Sequence, residues 1–208
     1  MKCVYTVGHS IHTLERFREL LALQDVEVLV DVRSRPFSSR APHFNGDALR
    51  SWCMTAGLKY LQMGDSLGGR ASDNRLILDG RVSYERVAET DSFRAGLERL
   101  RQGAERFVIA LMCAEKDPLS CHRTLLVARH LQPLLAPGAE VRHILADGSV
   151  RSHVDMEREL LRIWREPDGP GLFEESGAPL DRAYAAQGRE VAWMVREGPT
   201  DPDDGARP

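Results

Sequence analysis

The 208-residue chain has no apolar run approaching the roughly 18 residues that a membrane-crossing helix needs, so no membrane span is expected. It is also poor in cysteine. Four thiols (Cys3, Cys53, Cys113 and Cys121) are scattered along it, which excludes a disulfide framework and reads as reduced cysteine. The opening MKCVYTVGHS goes straight into a strand-like pattern without the layout of a secretory leader, so a cytoplasmic protein is expected. Strong positive charge is missing as well. The formal net charge is −3; residues 166 to 208 carry ten acids against four arginines, net −6, which leaves the first 165 residues at +3. A body that mildly basic suits an anionic ligand but excludes the broad basic face of a dedicated nucleic-acid binder. Finally, the chain contains no G-x-G-x-x-G, G-x4-G-K-[ST] or G-x-S-x-G, so no dinucleotide site, P-loop or esterase elbow is expected, and no cofactor.

What is present is enough apolar residue, 42%, for one respectable core. CVYTV (3 to 7), VEVLVDV (26 to 32) and FVIALM (107 to 112) are short, β-branched and nearly continuous, as strands buried on both faces are; KYLQM (59 to 63) and VRHIL (141 to 145) are weaker candidates. Between them run helical periods: Leu14, Phe17, Leu20, Leu21; Leu49, Trp52, Cys53, Ala56; Tyr84, Val87, Ala88; Phe93, Leu97, Leu100; and Leu125, Leu126, Leu131, Leu134. The alternation predicts an α/β fold: a single domain over residues 1 to 165, with a mainly parallel sheet flanked by helices in a Rossmann-like three-layer arrangement. Asn45 and Ser120 are the expected caps of two helices, and Ser152 with Asp155 forms a capping box before a last helix ending near Trp164. Residues 64 to 82 show no sustained period and read as a long loop or lid. Residues 166 to 208, acidic and rich in proline and glycine, read as a flexible, largely disordered tail, with LDRAYAAQGREVAWMVRE offering at most a short helix.

In a parallel α/β sheet ligands sit beyond the carboxyl ends of the strands, where loops and helix N-termini converge. Four segments deliver polar groups to that edge: Gly8-His9-Ser10; Asp31-Val32-Arg33-Ser34-Arg35-Pro36; Gly68-Gly69-Arg70; and Cys113-Ala114-Glu115 followed by Cys121-His122-Arg123. Each has an ordinary reading. A Gly-His-Ser is commonly a turn, Asp31 an anchor of loop amides, Cys113 a small hydrophobe at a strand end and an arginine a solvated side chain. Pro36, Phe37, Pro42 and Phe44 interleave with Arg33, Arg35 and Arg40, which suits a rigid pocket wall. Cys121 stands apart: in the first turn of a helix, beside His122 and Arg123, it is favoured as a thiolate, hence a nucleophile, or the same amides hold an anion with the thiol a spectator. Cys113, Cys121, His122 and His9 are potential metal ligands. The C-x7-C-H spacing, and the divergence of adjacent side chains on a helix, weigh against zinc.

YTVGHS, LVDVRSRPFSSRAPHFN, LKYLQMGDSLGGR and ALMCAEKDPLSCHRTLLVARHL together resemble the bacterial and archaeal family known as domain of unknown function 488, over residues 4 to about 131 and with the four motifs in that family's order. The resemblance implies that His9, Ser10, Asp31, Arg33, Pro36, Gly68, Gly69, Arg70, Cys113, Glu115, Cys121, His122 and Arg123 are its signature positions. It implies no activity.

The expectation is therefore a metal-independent hydrolase or group transferase acting on an anionic, phosphate-bearing or nucleotide-like small molecule. Ser10, Asp31, Arg33, Ser34, Arg35, Arg70 and Arg123 would bind it, Cys121 would attack, Cys113 would be an alternative or resolving thiol, and Glu115, His9 or His122 would move protons. The alternative is a binding module for a nucleotide or nucleic-acid end, and the third reading is a Cys/His metal site. Nothing in the sequence specifies a membrane partner or an oligomeric state.

Overall fold

The computed structural model describes residues 3–71, 73–166, 175 and 177–195. The strongest apolar runs become the centre of a six-stranded sheet. β1 (Val4–Gly8) is buried at every position, as are β2 (Val28–Asp31) and β6 (Ile109–Cys113). The weaker run Lys59–Gln62 is β3, at one edge and only part-buried. A two-residue hairpin, β4 (Ile77–Leu78) and β5 (Arg81–Val82), lies apart from the sheet, and β7 (Val141–Ile144) and β8 (Val150–Ser152) complete it. The order is β3-β2-β6-β1-β7-β8, parallel except for the antiparallel edge strand β8. The sequence reading did not anticipate β8, whose three residues are too few to show an alternation.

Alternate residues of each central strand feed two different cores, which is what a sheet covered on both faces requires. Tyr5, Val7, Leu29, Ala110 and Met112 pack under α1 (Leu14–Ala22) and α2 (Gly46–Thr55) together with Phe17, Leu20, Leu49 and Phe44. Val4, Val30, Ile109, Leu111 and Cys113 face the larger core on the other side. α1 forms because Thr13 caps it, accepting from the Arg16 amide, and because Phe17, Leu20 and Leu21 fall on one face. α5 (Asp91–Ala104) repeats the device, with Thr90 as cap and Phe93, Leu97 and Leu100 buried. Each such fully buried side chain stabilises the fold by about 1.5–3 kcal/mol.

Residues 64 to 82 are not one structureless loop. They hold α3 (Gly64–Leu67), a 3-10 turn Asn74–Leu76 and the β4–β5 hairpin, before α4 (Tyr84–Ala88). Their elements are shorter than any periodicity can reveal. Ser152 makes the expected capping box, accepting from the Asp155 amide and donating to its carboxylate, and α7 (His153–Ile163) ends just before Trp164. Asn45 stands at the start of α2, but its side chain accepts from the Ser38 amide and not from the helix.

The described part of the tail is more ordered than its composition suggests. Residues Ala178–Val191 form a helix, α8, that buries Ala183 and Tyr184 in the larger core. Beyond it Trp193 and Val195 add a strand-like strip to the small hairpin, through Val82 N–H to the Trp193 carbonyl at 3.0 Å and Val195 N–H to the Gly80 carbonyl at 2.8 Å. Composition alone underrated this segment, because a few apolar contacts and specific hydrogen bonds dock it. The remainder of the expected disorder lies outside the described residues. Among the described residues no helix is long and apolar enough to cross a membrane.

Candidate functional site

β1 and β6 lie side by side, yet the chain leaves them in opposite directions: β1 leads through α1 to β2, and β6 leads through the helix after Cys121 to β7 on the far side of β1. Their carboxyl ends lie at the switch in strand order, the edge where doubly wound sheets place ligands. Gly8 makes this crossing point. The 113–116 loop passes so closely over it that a Cβ there would stand 2.0 Å from the Glu115 carbonyl oxygen, and the amides of His9 and Ser10 donate to the Cys113 and Ala114 carbonyls at 2.8 and 2.9 Å.

On the β6 side, four donor groups converge. Cys121 Sγ is 2.9 Å from Glu115 Oε2, and His122 Nδ1 is 3.7 Å from Cys113 Sγ and 3.9 Å from Cys121 Sγ. The ligand atoms of Cys113, Glu115, Cys121 and His122 all lie within 4.8 Å of one another. The local backbone explains the convergence. Ser120 is not the helix cap; it ends a 3-10 turn, Pro118–Ser120, capped by Asp117, and its hydroxyl donates to the Asp117 carboxylate. Cys121 is extended (φ −140°, ψ 139°), its carbonyl accepts from the Thr124 and Leu125 amides, and its sulfur accepts from the Arg123 amide at 3.4 Å, so the cysteine itself caps the helix. Because Cys121 precedes the helix, its side chain does not diverge from that of His122 as two helical neighbours would. This removes one of the two arguments against a metal site. The helix then opens with a π-helical stretch, Arg123–Ala128, before α6 (Arg129–Leu131), and such wide turns cluster at functional positions.

His122 is held by its other nitrogen. Nε2–H donates to the Val32 carbonyl at 3.0 Å, a role that a carbonyl partner fixes, and Nδ1 is left facing both sulfurs. Gly69 lies on the ring so tightly that a Cβ would come within 2.7 Å of it. Arg123 is fully buried. Its Nη1 donates to the Glu115 carbonyl at 2.6 Å and its Nη2 to the Lys116 carbonyl at 3.3 Å, while Nε has no partner, and among the described residues no carboxylate pairs with it. A buried guanidinium without an ionised partner is costly. The Cys121 sulfur is the acidic group that its charge acts on.

The electrostatics follow. For Cys121, burial alone would raise the thiol, but the hydrogen bond from Cys113 and the charges of Arg123 and His122 outweigh it and hold it well below the ordinary thiol value. Burial, and then the neighbouring Cys121, push Cys113 well up. Glu115 is raised to about 7, first by burial and then by the charge on Cys121. Burial depresses His122, and the Cys121 charge more than reverses it, leaving the imidazole raised. These shifts favour the thiolate at Cys121 and leave the Glu115 carboxyl partly protonated near neutrality.

His9 and Arg33 do not join this cluster. They belong to a second network on the α1/α2 side of the sheet, as the alternation along β2 dictates for Asp31. Asp31 is fully buried and accepts from Arg33 Nε and Nη2 at 2.9 and 2.6 Å and from Tyr60 Oη at 2.9 Å. Arg33 also donates to the Phe44 carbonyl at 2.7 Å and to His9 Nε2 at 3.0 Å. His9 stacks on Phe44, and its Nδ1–H donates to the Ser10 carbonyl at 2.9 Å. Burial and the Arg33 charge hold its pKa down at about 3, which makes it a neutral acceptor of the Arg33 hydrogen bond. Arg33 and Arg123 are therefore committed inside the fold. Among the arginines expected to bind substrate, Arg35 is exposed and Arg70 is part-exposed over the Trp193 ring. The Arg70 amide donates to Ser34 Oγ at 3.0 Å, which brings the two rims together next to the glycine pair on His122. Ser10, half-buried and left-handed (φ 45°), turns the chain out of β1. Phe44, expected in the pocket wall, stacks on His9, whereas Tyr60 is a partner that sequence reasoning missed, the alternation of Tyr60 and Gln62 in KYLQM being its one available signal.

Residues 13–130, more than half of the chain, match the family described as "Domain of unknown function DUF488", and the chain belongs to that family. Three of the four motifs fall within the matched span, and Gly8-His9-Ser10 lies just ahead of it. No curated protein and no solved structure matches the chain.

Proposed function

We propose that this DUF488 chain is a hydrolase or group transferase that acts on an anionic, phosphate-bearing or nucleotide-like substrate, with Cys121 as its nucleophile. One observation carries the reading: Cys121 caps a helix with its sulfur on the Arg123 amide while the same sulfur lies 2.9 Å from a carboxylate. Helix-terminal amides and a buried guanidinium favour the thiolate, and an adjacent carboxyl group supplies the proton that a leaving group needs. In the first step the thiolate attacks the electrophilic centre, the bond to the leaving group breaks, and Glu115 protonates the departing atom. Water, or an acceptor molecule in a transfer, then attacks the thioester or thiophosphate, Glu115 takes its proton, and the bond to sulfur breaks to release the Cys121 thiolate. Arg35 and Arg70 are the cations placed to hold the substrate's charge from outside.

p-Nitrophenyl phosphate and p-nitrophenyl acetate test the reaction class through release of the nitrophenolate. Turnover of at least one should vanish in Cys121→Ser and fall by about 10²–10³ in Glu115→Gln, whereas Arg35→Ala should raise KM with kcat nearly unchanged. Release that survives Cys121→Ser would overturn the nucleophile. Binding of nucleotides that is weakened by Arg35→Ala and indifferent to Cys121→Ser, without turnover, is the result that a binding module would give.

A further inference from the structure

We infer that Cys113, Glu115, Cys121 and His122 form a four-ligand site for a thiophilic divalent metal ion of the zinc class, and that its occupancy withdraws Cys121 from reaction. The second clause rests on the proposed role of Cys121; the first does not. The ligand set is two sulfurs, one imidazole nitrogen and one carboxylate oxygen, all within 4.8 Å of one another. In a tetrahedral zinc site with bonds of about 2.0–2.3 Å, neighbouring donors lie about 3.3–3.8 Å apart. The Sγ to Nδ1 separations here are 3.7 and 3.9 Å, and the Sγ to Oε2 separation of 2.9 Å needs only a small outward movement of a side chain.

Two further features point the same way. His122 donates its Nε2–H to the Val32 carbonyl, the outer-shell bond that fixes a metal-ligating histidine and leaves the opposite nitrogen free to coordinate. Charge closes as well. A divalent ion with two thiolates and one carboxylate is net −1, and Arg123 stands beside the cluster as a buried +1 with no carboxylate partner among the described residues. As the ion enters, the Cys113 thiol proton and any proton on Glu115 or on His122 Nδ1 leave to solvent, and no electron changes hands. The site then holds the two groups that the reaction uses, so metal and substrate compete.

Cobalt(II) added to the chelator-treated full chain reads the site directly. One equivalent should give the intense visible bands of tetrahedral cobalt and thiolate-to-cobalt charge transfer in the near ultraviolet, and both should disappear on adding zinc. Cys113→Ser, and separately Glu115→Gln, should weaken binding by at least about 100-fold while circular dichroism stays native; Cys3→Ser should leave it unchanged. Absence of the bands at one equivalent, or bands indifferent to Cys113→Ser, would overturn the site. Alkylation by iodoacetamide separates the two readings: zinc should protect Cys121 and a chelator should restore labelling. Cobalt binding with an inert Cys121 in the chelated protein sinks the nucleophile and leaves the metal site, whereas a labelled Cys121 without cobalt binding does the reverse.

Discussion

Asp31 and Arg33 set the strongest single-residue expectation. Asp31→Asn leaves a guanidinium that is only 5% exposed without its carboxylate, and removal of one partner from a buried pair costs about 3–5 kcal/mol. Urea unfolding should show that loss, and Tyr60→Phe, which removes one neutral donor to the same carboxylate, should lose only about 1 kcal/mol. Equal losses for the two would contradict the network. Gly69→Ala acts on the other side of the sheet. Its Cβ meets the His122 ring at 2.7 Å, so the ring or the strip must move, at about 1–3 kcal/mol of overpacking. The Cys-x-Glu and Cys-His-Arg pattern, read beside a strand end and a helix start, was enough to assemble the thiol cluster from sequence. His9 was not separable from it, because which face of the sheet a strand-end residue takes depends on a register that a single strand does not display.

At the scale of elements, α8 is the part that composition concealed. Its Gln187 accepts from Trp164 Nε1 at 2.9 Å and donates to the Leu119 carbonyl at 2.9 Å, so the helix braces the turn that delivers Cys121. Tyr184 belongs to a chain of buried hydrogen bonds that ends on Glu157, and with both imidazoles neutral its Oη–H bond to Glu157 at 3.1 Å sets one direction: Thr6 Oγ1–H to His143 Nδ1 at 2.8 Å, His143 Nε2–H to His153 Nδ1 at 3.1 Å and His153 Nε2–H to Tyr184 Oη at 3.1 Å. Burial favours neutral imidazoles here, holding His153 down at about 4 and His143 well below the ordinary histidine value, where a proton on His153 would also oppose one on His143. The unfolded chain takes up these protons first. Their contribution is complete above the unfolded value of about 6.5 and is lost as pH falls towards the folded one. Stability should therefore drop by about 2 kcal/mol for His153 alone between pH 7 and pH 5, in urea titrations at the two pH values. A stability that rises on acidification would contradict the chain. Neither histidine stands in a motif, and their pairing joins β7 to α7 across a turn, which explains why no spacing rule found them.

At the scale of the whole molecule, the crossover between β1 and β6 divides labour between the two faces of one sheet. The α1/α2 face carries a saturated Asp31–Arg33–His9 network that fixes its side of the sheet edge, and the opposite face carries the thiol cluster. The five parallel strands and their helices were legible because continuous apolar runs and 3.6-residue periods alternate along the chain. β8, α3 and the small hairpin were not, since two to four residues carry no period. The most direct measurement is the rate at which iodoacetamide labels each cysteine of the chelated chain at neutral pH, resolved by peptide mass spectrometry. Cys121 should label faster than Cys113 and far faster than Cys53, whose thiol burial pushes up to about 12, and Glu115→Gln should change the rate at Cys121 while leaving that at Cys53 unchanged. Labelling of Cys113 ahead of Cys121, or a Cys121 as inert as Cys53, would contradict the account.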